Sequence, residues 1–347
     1  MNAKKLTYLL AAMAAVLGAC SRMEQAELPQ LRISYDVVQL RDTRVAEDYP
    51  TNRPFVSYAF MLPQGRTWAD NRATDAAEYI SGATVSFDGT HWCDHSKSYY
   101  WPSQGSLTFF SFSPSELKSS TTVGSSNGVT IRGWDVHANQ AVDIMVADVV
   151  TEQTANSSIG PYTGVPTVFR HKLSQIVSFE FNTLKDYSAT TRFYVTGIAL
   201  NNLVQKGTYV SGAEVGKTSV LMGKWTPDGS STAKSYKYYD GGTSGTEVVY
   251  STTGGTRVGS GPLLILPQTF TNPGDSPNWS LTPHLRIDYK IGSEAKTALV
   301  SLYELFSAEV SMNKSITIRV TFNNEGNLIT WAPDQEDWTE SEFSIIM

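Results

Sequence analysis

The sequence predicts an all-β sandwich architecture, because apolar and polar residues alternate along its most regular segments and turn-forming clusters separate them. The alternation is strict over residues 31–37, 285–291 and 316–322. Alternation of this length indicates strands with one face on a core and the other in water. A helical pattern is confined to two short stretches, 73–79 and 300–305, so a parallel sheet with helical crossovers is excluded.

Shorter apolar runs predict the remaining strands, and polar clusters predict the turns between them. The further predicted strands are 55–62, 84–87, 107–112, 142–147, 176–181, 193–200 and 263–266. The predicted turns, rich in Gly, Ser, Asn and Asp, are 125–128, 240–245, 254–261 and 323–326.

The first twenty residues predict export and lipid attachment. Lys4 and Lys5 precede an apolar stretch, 6–17, and Leu17, Gly18, Ala19 and Cys20 follow, which resembles a bacterial lipobox. About a dozen apolar residues are too few to span a roughly 30 Å hydrocarbon core as a helix. We therefore expect residues 1–19 to be a lipoprotein signal peptide and Cys20 to become the acylated N-terminus.

The remaining length is sufficient for two domains that each bury a core. Residues 20–30 are polar and without periodicity, which predicts a lipid tether. Residues 154–166 are rich in Ser, Asn, Gly and Pro, as is typical of a connection between domains. We therefore expect an N-terminal domain at 31–166 and a C-terminal domain at 167–347.

Charge and cysteine content exclude two further classes of protein. Removal of residues 1–19 takes away two of the 27 basic residues and none of the 33 acidic ones, which changes the net charge from −6 to −8. A nucleic-acid partner is not expected, because the chain has no clustered basic face. The second of the two cysteines, Cys93, cannot form an intramolecular disulfide if Cys20 carries lipid.

Motifs for catalysis and metal binding are weak. His91, Cys93 and His95 alternate beside Asp94, so one face of a strand could present all three to zinc or copper. Structural zinc sites usually have four ligands with longer spacings, and no second cluster stands out. The glycine-rich segment 254–261 lacks the Gly-Lys-Ser/Thr ending of a P-loop. We therefore expect no metal, no cofactor and no enzymatic activity.

A series of short motifs, in order, resembles the fimbrillin-family lipoproteins of Bacteroidota, the pilins and pilin-like proteins of type V pili. The motifs are the lipobox, a strand that ends near Thr43, Arg44 and Val45, Trp101 followed by 107–112 and Pro114, the acidic and apolar strand 143–147, the segment with Phe169, His171, Lys172, Leu173, Ser174 and Ile176, and the apolar strand 263–268 closed by Pro267 and Gln268. The resemblance extends from residue 1 to about residue 331.

The resemblance implies two tandem transthyretin-like β-sandwich domains that polymerise by strand donation. A trypsin-like or arginine-specific protease would remove the N-terminal strand of the first domain, and the C-terminal strand of a neighbouring subunit would fill the groove. An added strand satisfies unpaired backbone groups and covers an apolar groove. Donor and acceptor lie at opposite ends of the chain, so the contact is head-to-tail and generates a filament.

Mapped onto this sequence, the displaced strand would carry its apolar side chains at Leu31, Ile33, Tyr35 and Val37. The cut would follow Arg44, which lies in the Thr-Arg context of the family's cleavage position, and Arg41 and Arg53 are the alternative sites. These arginines could equally be ordinary exposed charges in a polar loop. Cleavage at any of them would also release the lipid attached at Cys20.

The candidate donor strand lies near the C-terminus, where the apolar residues are Ile329, Trp331, Phe343 and Ile345. An exposed apolar end would need something to cover it. The alternative is that this segment folds back as an edge strand of its own domain.

The function that the resemblance implies is a stalk, tip or anchor subunit of a cell-surface fimbria that supports adhesion. Its partners would be other fimbrial subunits, the outer membrane through the N-terminal lipid, and a host or bacterial surface receptor or glycan. The alternative is a surface lipoprotein that does not polymerise and binds glycans on exposed aromatic rings. The candidate rings belong to Trp68, Trp92, Trp101, Trp134, Trp225 and Trp279, although buried tryptophans would give the same sequence.

Overall fold

The computed structural model describes residues 31–40, 46–155, 164–184, 186, 191–213, 223–233, 235–322 and 328–337. Within these residues the regular secondary structure is almost entirely β-strand, as the alternating pattern predicts. Among them, no helix has the length and apolar character that crossing a bilayer requires.

The first half of the chain contributes eleven strands, one α-helix and one 3-10 helix. The strands are β1 Tyr35–Leu40, β2 Ala46–Asp48, β3 Phe55–Leu62, β4 Ala77–Phe87, β5 Trp92–Asp94, β6 Ser106–Ser113, β7 Thr121–Gly124, β8 Gly128–Asp135, β9 Met145–Ala147, β10 Val150–Gln153 and β11 Val165–His171. The helices are α1 Trp68–Asn71 and the 3-10 helix Ser115–Ser120.

The second half contributes the remaining strands and one further helix. The strands are β12 Ser174–Thr183, β13 Phe193–Asn201, β14 Leu203–Val204, β15 Lys206–Val210, β16 Lys224–Pro227, β17 Thr232–Ala233, β18 Tyr236–Asp240, β19 Thr246–Glu247, β20 Thr256–Val258, β21 Leu263–Ile265, β22 Gln268–Thr269, β23 His284–Ile291, β24 Glu294–Ser301, β25 Glu309–Val310, β26 Lys314–Phe322 and β27 Leu328–Asp337. The helix is α2 Leu302–Leu305.

Both α-helices begin where a hydroxyl side chain caps the first turn. Thr67 accepts from the backbone N–H of Asp70 at the start of α1, and Ser301 accepts from that of Tyr303 at the start of α2. The helical expectation for 300–305 is therefore met over Leu302–Leu305, whereas the first two residues of that range end β24. The expectation for 73–79 is wrong, because residues 77–79 open the long strand β4.

The largest sheet closes into a barrel. Its strands follow the order β6-β3-β4-β5-β1-β11-β9, and β9 pairs again with β6, so seven strands form a ring. Closure satisfies the backbone groups that an open sheet would leave at its edges. The barrel interior holds a core of Ile33, Tyr35, Val37, Tyr49, Phe55, Ala59, Ile80, Ala83, Val85, Trp92, Leu107, Phe109, Met145, Ala147, Val165 and Phe169.

The barrel differs from the separate transthyretin-like sandwich that the resemblance implies for residues 31–166. A pattern of alternation reports which face of a strand is buried, and it is the same for an open sandwich and a closed barrel. Closure here depends on pairing between β1 and β11, two strands that lie more than a hundred residues apart in the chain.

Strands β3 and β6 are buried on both faces, which explains their nearly continuous apolar sequences. Their outer faces pack against a four-stranded sheet in the order β16-β15-β8-β7. Strands β7 and β8 belong to the first half of the chain, whereas β15 and β16 belong to the second. The core between the barrel and this sheet therefore takes side chains from both halves, for example Phe110 and Ile131 from the first and Tyr209 and Trp225 from the second.

The second half of the chain forms a β-sandwich. One sheet has the order β20-β12-β26-β27 with β21 also on β12, and the other has the order β18-β13-β23-β24 with β19 also on β13. Their facing sides enclose a core that includes Ile176, Phe181, Leu285 and Val320. One of these two sheets mixes parallel and antiparallel neighbours.

The chain passes from the barrel to the sandwich at Lys172 and Leu173, between β11 and β12. The predicted border between residues 166 and 167 falls inside β11, which pairs with β1 and β9 of the barrel. The polar segment 154–166 predicted a border at its end. Composition does not show which sheet the next strand joins, so it did not indicate that β11 belongs to the barrel.

Replacing Trp225 with alanine should lower the free energy of unfolding by about 3–5 kcal/mol, because a buried ring would leave a cavity in the core that both halves share. Chemical denaturation measures this loss. Hydrogen exchange should also accelerate in β3 and β6, although Trp225 belongs to the other half. Trp279→Ala is the matched control, since Trp279 is only half-buried. An equal loss in both variants would contradict a shared core.

Candidate functional site

Strand β1, together with the residues that precede it, has one face inside the barrel. Ile33, Tyr35 and Val37 are 3%, 6% and 9% exposed, whereas Leu31 is 56% exposed. Three of the four apolar residues of the predicted displaced strand therefore contribute to the barrel core. Leu31 takes part through its backbone, since its carbonyl accepts the N–H of Trp101 at 3.0 Å.

Tyr35 is the central side chain of this face. Its ring meets Phe55 and Phe109 edge-on, with centroid separations of 5.5 and 6.1 Å. Edge-to-face aromatic pairs of this kind add to the free energy of burial. Burial raises the pKa of the Tyr35 hydroxyl well above its ordinary value, so the ring remains neutral at physiological pH.

The two sides of β1 are held differently. On one side it pairs in parallel with β11 over five residues, from Tyr35 opposite Val165 to Gln39 opposite Phe169. On the other side it pairs with β5 only where Tyr35 lies opposite Trp92. The N–H of Ile33 also donates to the carbonyl of Tyr99 at 2.8 Å. On the side away from β11, β1 is therefore held by separate short contacts to β5, to β2 and to residues near Tyr99, and not by one continuous ladder.

Gly164 allows β1 to approach β11 closely. A Cβ at this position would lie 2.8 Å from the carbonyl oxygen of Ser34 and 3.0 Å from the carbonyl carbon of Tyr35. The N–H of the next residue, Val165, donates to the same Ser34 oxygen at 2.9 Å. Glycine at this position therefore permits the first contact of the β1–β11 ladder.

Strand β2 returns antiparallel along β1, with Leu40 opposite Ala46. Two candidate cleavage sites, Arg41 and Arg44, fall between these paired residues in sequence and lie outside the described residues. The third, Arg53, is half-buried, follows a turn and stands directly before Pro54 and β3.

Tyr49 lies between the cleavage candidates in sequence and belongs to the barrel core. It is buried, its ring stacks on Phe169 with centroids 4.8 Å apart, and it meets Trp92 edge-on at 5.4 Å. Its hydroxyl is hydrogen-bonded to that of Ser113 at 2.5 Å. The chain is thus anchored in the barrel again immediately after β2.

The candidate donor residues Ile329 and Trp331 belong to β27, which pairs antiparallel with β26 from Lys314 opposite Asp337 to Phe322 opposite Leu328. Among the described strands, β27 is at one end of its sheet and has β26 as its neighbour. Phe343, Ile345 and the lipidation candidate Cys20 lie outside the described residues.

A cavity of about 870 Å³ opens where β1 enters the barrel. Leu31, Arg66, Trp101 and Glu152 are among the residues that line it. Trp101 also packs edge-on against Phe109 of the barrel core, at 5.8 Å between centroids. A pocket lined by apolar and charged side chains therefore lies beside Leu31, the exposed residue of the predicted displaced strand.

The tryptophans considered as glycan platforms divide into two groups. Trp68, Trp92 and Trp225 are buried in the cores, so they present no surface to a sugar. Trp101, Trp134 and Trp279 are half-buried.

Residues 124–128 match the Gly-x-Ser-x-Gly pattern of a catalytic nucleophile elbow. Such an elbow joins a strand to a helix, whereas these residues join β7 to β8 as a hairpin.

A buried polar cluster lies where β11 ends and the chain passes to the sandwich. Arg170 forms a two-bond ion pair with Asp148, at 2.8 and 2.9 Å, and His171 Nδ1 lies 2.7 Å from Asp143 Oδ2. Burial lowers the pKa of the Lys172 ammonium to about 7, although Asp148 acts in the opposite direction. This cluster accounts for the polar residues of the segment around His171, which has a structural role here.

The residues that surround β1 were not identified as site residues from the sequence. Phe55, Trp92, Phe109, Val165 and Phe169 face it from four other strands of the barrel. Each belongs to an apolar run, which predicts burial but not the identity of its neighbour. The only available signal was the alternation of β1 itself.

The all-β fold agrees with the comparisons to known proteins. A fimbrillin-like family model matches residues 59–338, and the chain belongs to this family. Among solved structures, it resembles a fimbrial protein from Bacteroides vulgatus ATCC 8482 with 18% identity and a TM-score of 0.62, over 89% of this chain and 99% of that one.

A second solved structure, a proposed cell adhesion protein from Bacteroides uniformis ATCC 8492, has 14% identity and a TM-score of 0.51, again over 89% of this chain and 99% of the other. At these identities the likeness concerns the fold. No protein among those with curated annotation matches the chain.

Replacing Tyr35 with alanine should lower the free energy of unfolding by about 3–5 kcal/mol, because the ring fills space between Phe55 and Phe109. Leu31→Ala, in the same segment but with an exposed side chain, should change stability by less than about 0.5 kcal/mol. Equilibrium denaturation of both variants measures the difference. A similar loss of unfolding free energy in both variants would show that the buried face of β1 does not hold it in the barrel.

The buried Lys172 predicts a stability that rises with pH. Its folded pKa of about 7 lies below its ordinary value of 10.5, so between these pH values the unfolded chain binds more protons than the folded chain. The free energy of unfolding should therefore increase from about pH 7 to 10.5, and the destabilisation should be complete below pH 7. Denaturation of Lys172→Met across this range should show a smaller rise. An unchanged pH profile in the variant would contradict this assignment.

Proposed function

We propose that the protein is a structural subunit of a cell-surface fimbria and that it assembles when its first strand is replaced by a strand from another subunit. The observation that carries this proposal is the position of β1, which closes the barrel with three buried side chains at the N-terminal end of the described chain. Membership of the fimbrillin-like family and the likeness to a fimbrial protein support the same role. The role is structural and not enzymatic.

The strand that would be lost has a ladder of limited strength. Its ladder with β11 is parallel, and parallel pairing is slightly weaker per residue than antiparallel pairing. Its departure would expose the backbone edge of β11 together with Phe55, Trp92 and Phe109. An apolar strand from a second copy would cover this groove and satisfy the edge.

The positions of the arginines favour cleavage at Arg44 or Arg41 over Arg53. Arg53 precedes Pro54, so its following peptide bond carries no N–H, and trypsin-like proteases cleave poorly before proline. A cut after Arg53 would also remove Tyr49 from the barrel core. A cut after Arg44 would remove β1 and retain Tyr49.

The C-terminal segment is the proposed donor. Strand β27 pairs with β26 at the end of its sheet, and ten residues, including Phe343 and Ile345, follow it. We propose that this segment enters the barrel of the next subunit. Until cleavage, the lipid on Cys20 would hold the subunit at the outer membrane, and a subunit that escapes cleavage would remain there as an anchor.

Treatment of the purified chain with an arginine-specific protease should remove the residues up to Arg44 and then yield a ladder of oligomers on denaturing gels run without boiling. The combined variant Arg41→Ala and Arg44→Ala should resist cleavage and remain monomeric, because neither proposed site remains. Arg53→Ala is the control and should behave like the parent chain. A chain that loses β1 but remains monomeric would count against assembly by strand donation.

The donor is tested separately by deleting residues 338–347. This variant should be cleaved at the parent rate, because its barrel is unchanged, but it should not form the ladder. The truncated chain should still not polymerise with itself after parent chain that has already been cleaved is added. A normal ladder from the truncated chain would exclude these residues as the donor.

A further inference from the structure

A cluster of three potential metal ligands lies on the hairpin that joins β4 to β5. The carboxylate of Asp88, the thiol of Cys93 and the imidazole of His95 have their ligand atoms within 4.8 Å of one another. Cys93 Sγ is 3.7 Å from His95 Nδ1. Around a tetrahedral zinc ion, with bonds of about 2.3 Å to sulfur and 2.0 Å to nitrogen, these two atoms would be about 3.5 Å apart.

The hairpin explains why these three residues meet. Cys93 lies in β5 and His95 directly follows that strand, and the hydrogen-bond distance between Sγ and Nδ1 shows that the two side chains lie on the same side. Cys93 lies opposite Ser86 in the β4–β5 ladder, and Asp88 follows β4 directly. The sequence pattern alone suggested His91 as the third ligand. The structure instead brings Asp88 to the thiol and the imidazole.

The ligand atoms are oriented by neighbouring backbone groups. His95 Nε2 lies 3.2 Å from the carbonyl oxygen of Ser86, so an Nε2–H can donate to it and leave Nδ1 available for a cation. This arrangement, with the second ring nitrogen bonded to a carbonyl, is usual for metal-binding histidines. Asp88 Oδ1 accepts the backbone N–H groups of Thr90 and His91, at 2.8 and 2.7 Å, which fixes the carboxylate.

We propose that Asp88, Cys93 and His95 bind one zinc ion, with water as the fourth ligand. A thiolate, an imidazole and a carboxylate form a donor set that suits zinc, whereas calcium and magnesium require oxygen ligands. Asp88 and His95 are exposed, which gives the ion a path to the buried thiol. The proposal does not depend on strand donation.

The bound ion would tie the β4–β5 turn to β5, the strand that borders β1 in the barrel. Beside this site, Arg32 of the segment before β1 donates to the carbonyl of Asp94 at 2.7 Å. Strand β5 is only three residues long. Zinc would therefore hold in place the wall of the barrel that has the fewest backbone bonds to β1.

Titration with cobalt tests the site, because a cobalt–thiolate bond gives a charge-transfer absorption band in the near ultraviolet. The experiment uses the untagged full chain with Cys20→Ser, in which Cys93 is the remaining thiol. The band should saturate at one cobalt ion per chain and disappear when zinc is added. Absence of the band at saturating cobalt would overturn the proposal.

Variants of the exposed ligands separate lost binding from lost folding, which Cys93→Ser alone would not do because Cys93 is buried. His95→Gln and Asp88→Asn should each weaken zinc binding by at least about tenfold. They should also abolish the rise in melting temperature that zinc causes in the parent. His91→Gln is the matched control and should bind as the parent does. A weakening in His91→Gln equal to that in His95→Gln would overturn the assignment of Asp88.

Discussion

The burial of one face of β1 is the contact on which the rest of the barrel depends. Ile33, Tyr35 and Val37 enter a core that six other strands and the Tyr49 ring complete, and the ladder to β11 joins the two ends of the sheet. Without β1, the same sheet would have two open edges and a groove lined by aromatic side chains. Removal of β1 would break its pairing with β11, β5 and β2 and leave the other strand pairs of the barrel in place.

A second constraint holds the rest of the molecule together independently of β1. Strands β3 and β6 are buried on both faces, so their outer sides need a cover. Strands β15 and β16 from the second half supply part of it, with Tyr209 and Trp225. The barrel and the second half of the chain therefore share a core, and β1 takes no part in it. Loss of β1 would remove side chains from the interior of the barrel but leave this shared core in contact.

The polar residues at the passage between the two halves fit the same picture. Arg170, His171 and Lys172 are consecutive and buried, and Asp148 and Asp143 meet the first two. Buried charges of this kind are costly unless they are paired, and they fix the relative position of the elements that carry them. In the sequence, this segment looked like a family motif at the start of a new domain. In the structure, it is the end of a barrel strand.

The sequence by itself determined the β-class of the fold, the strands that carry strict alternation and the face of β1 that is buried, because these properties follow from the two-residue period of a strand. Tertiary structure alone decided that the first sheet closes, that the second half covers it, and that Asp88 and not His91 stands beside Cys93 and His95. The physical reason is the same in each case. Strands pair through their backbones, and backbone pairing leaves no distinctive pattern of side chains in the sequence. The partner of a given strand can therefore lie anywhere along the chain.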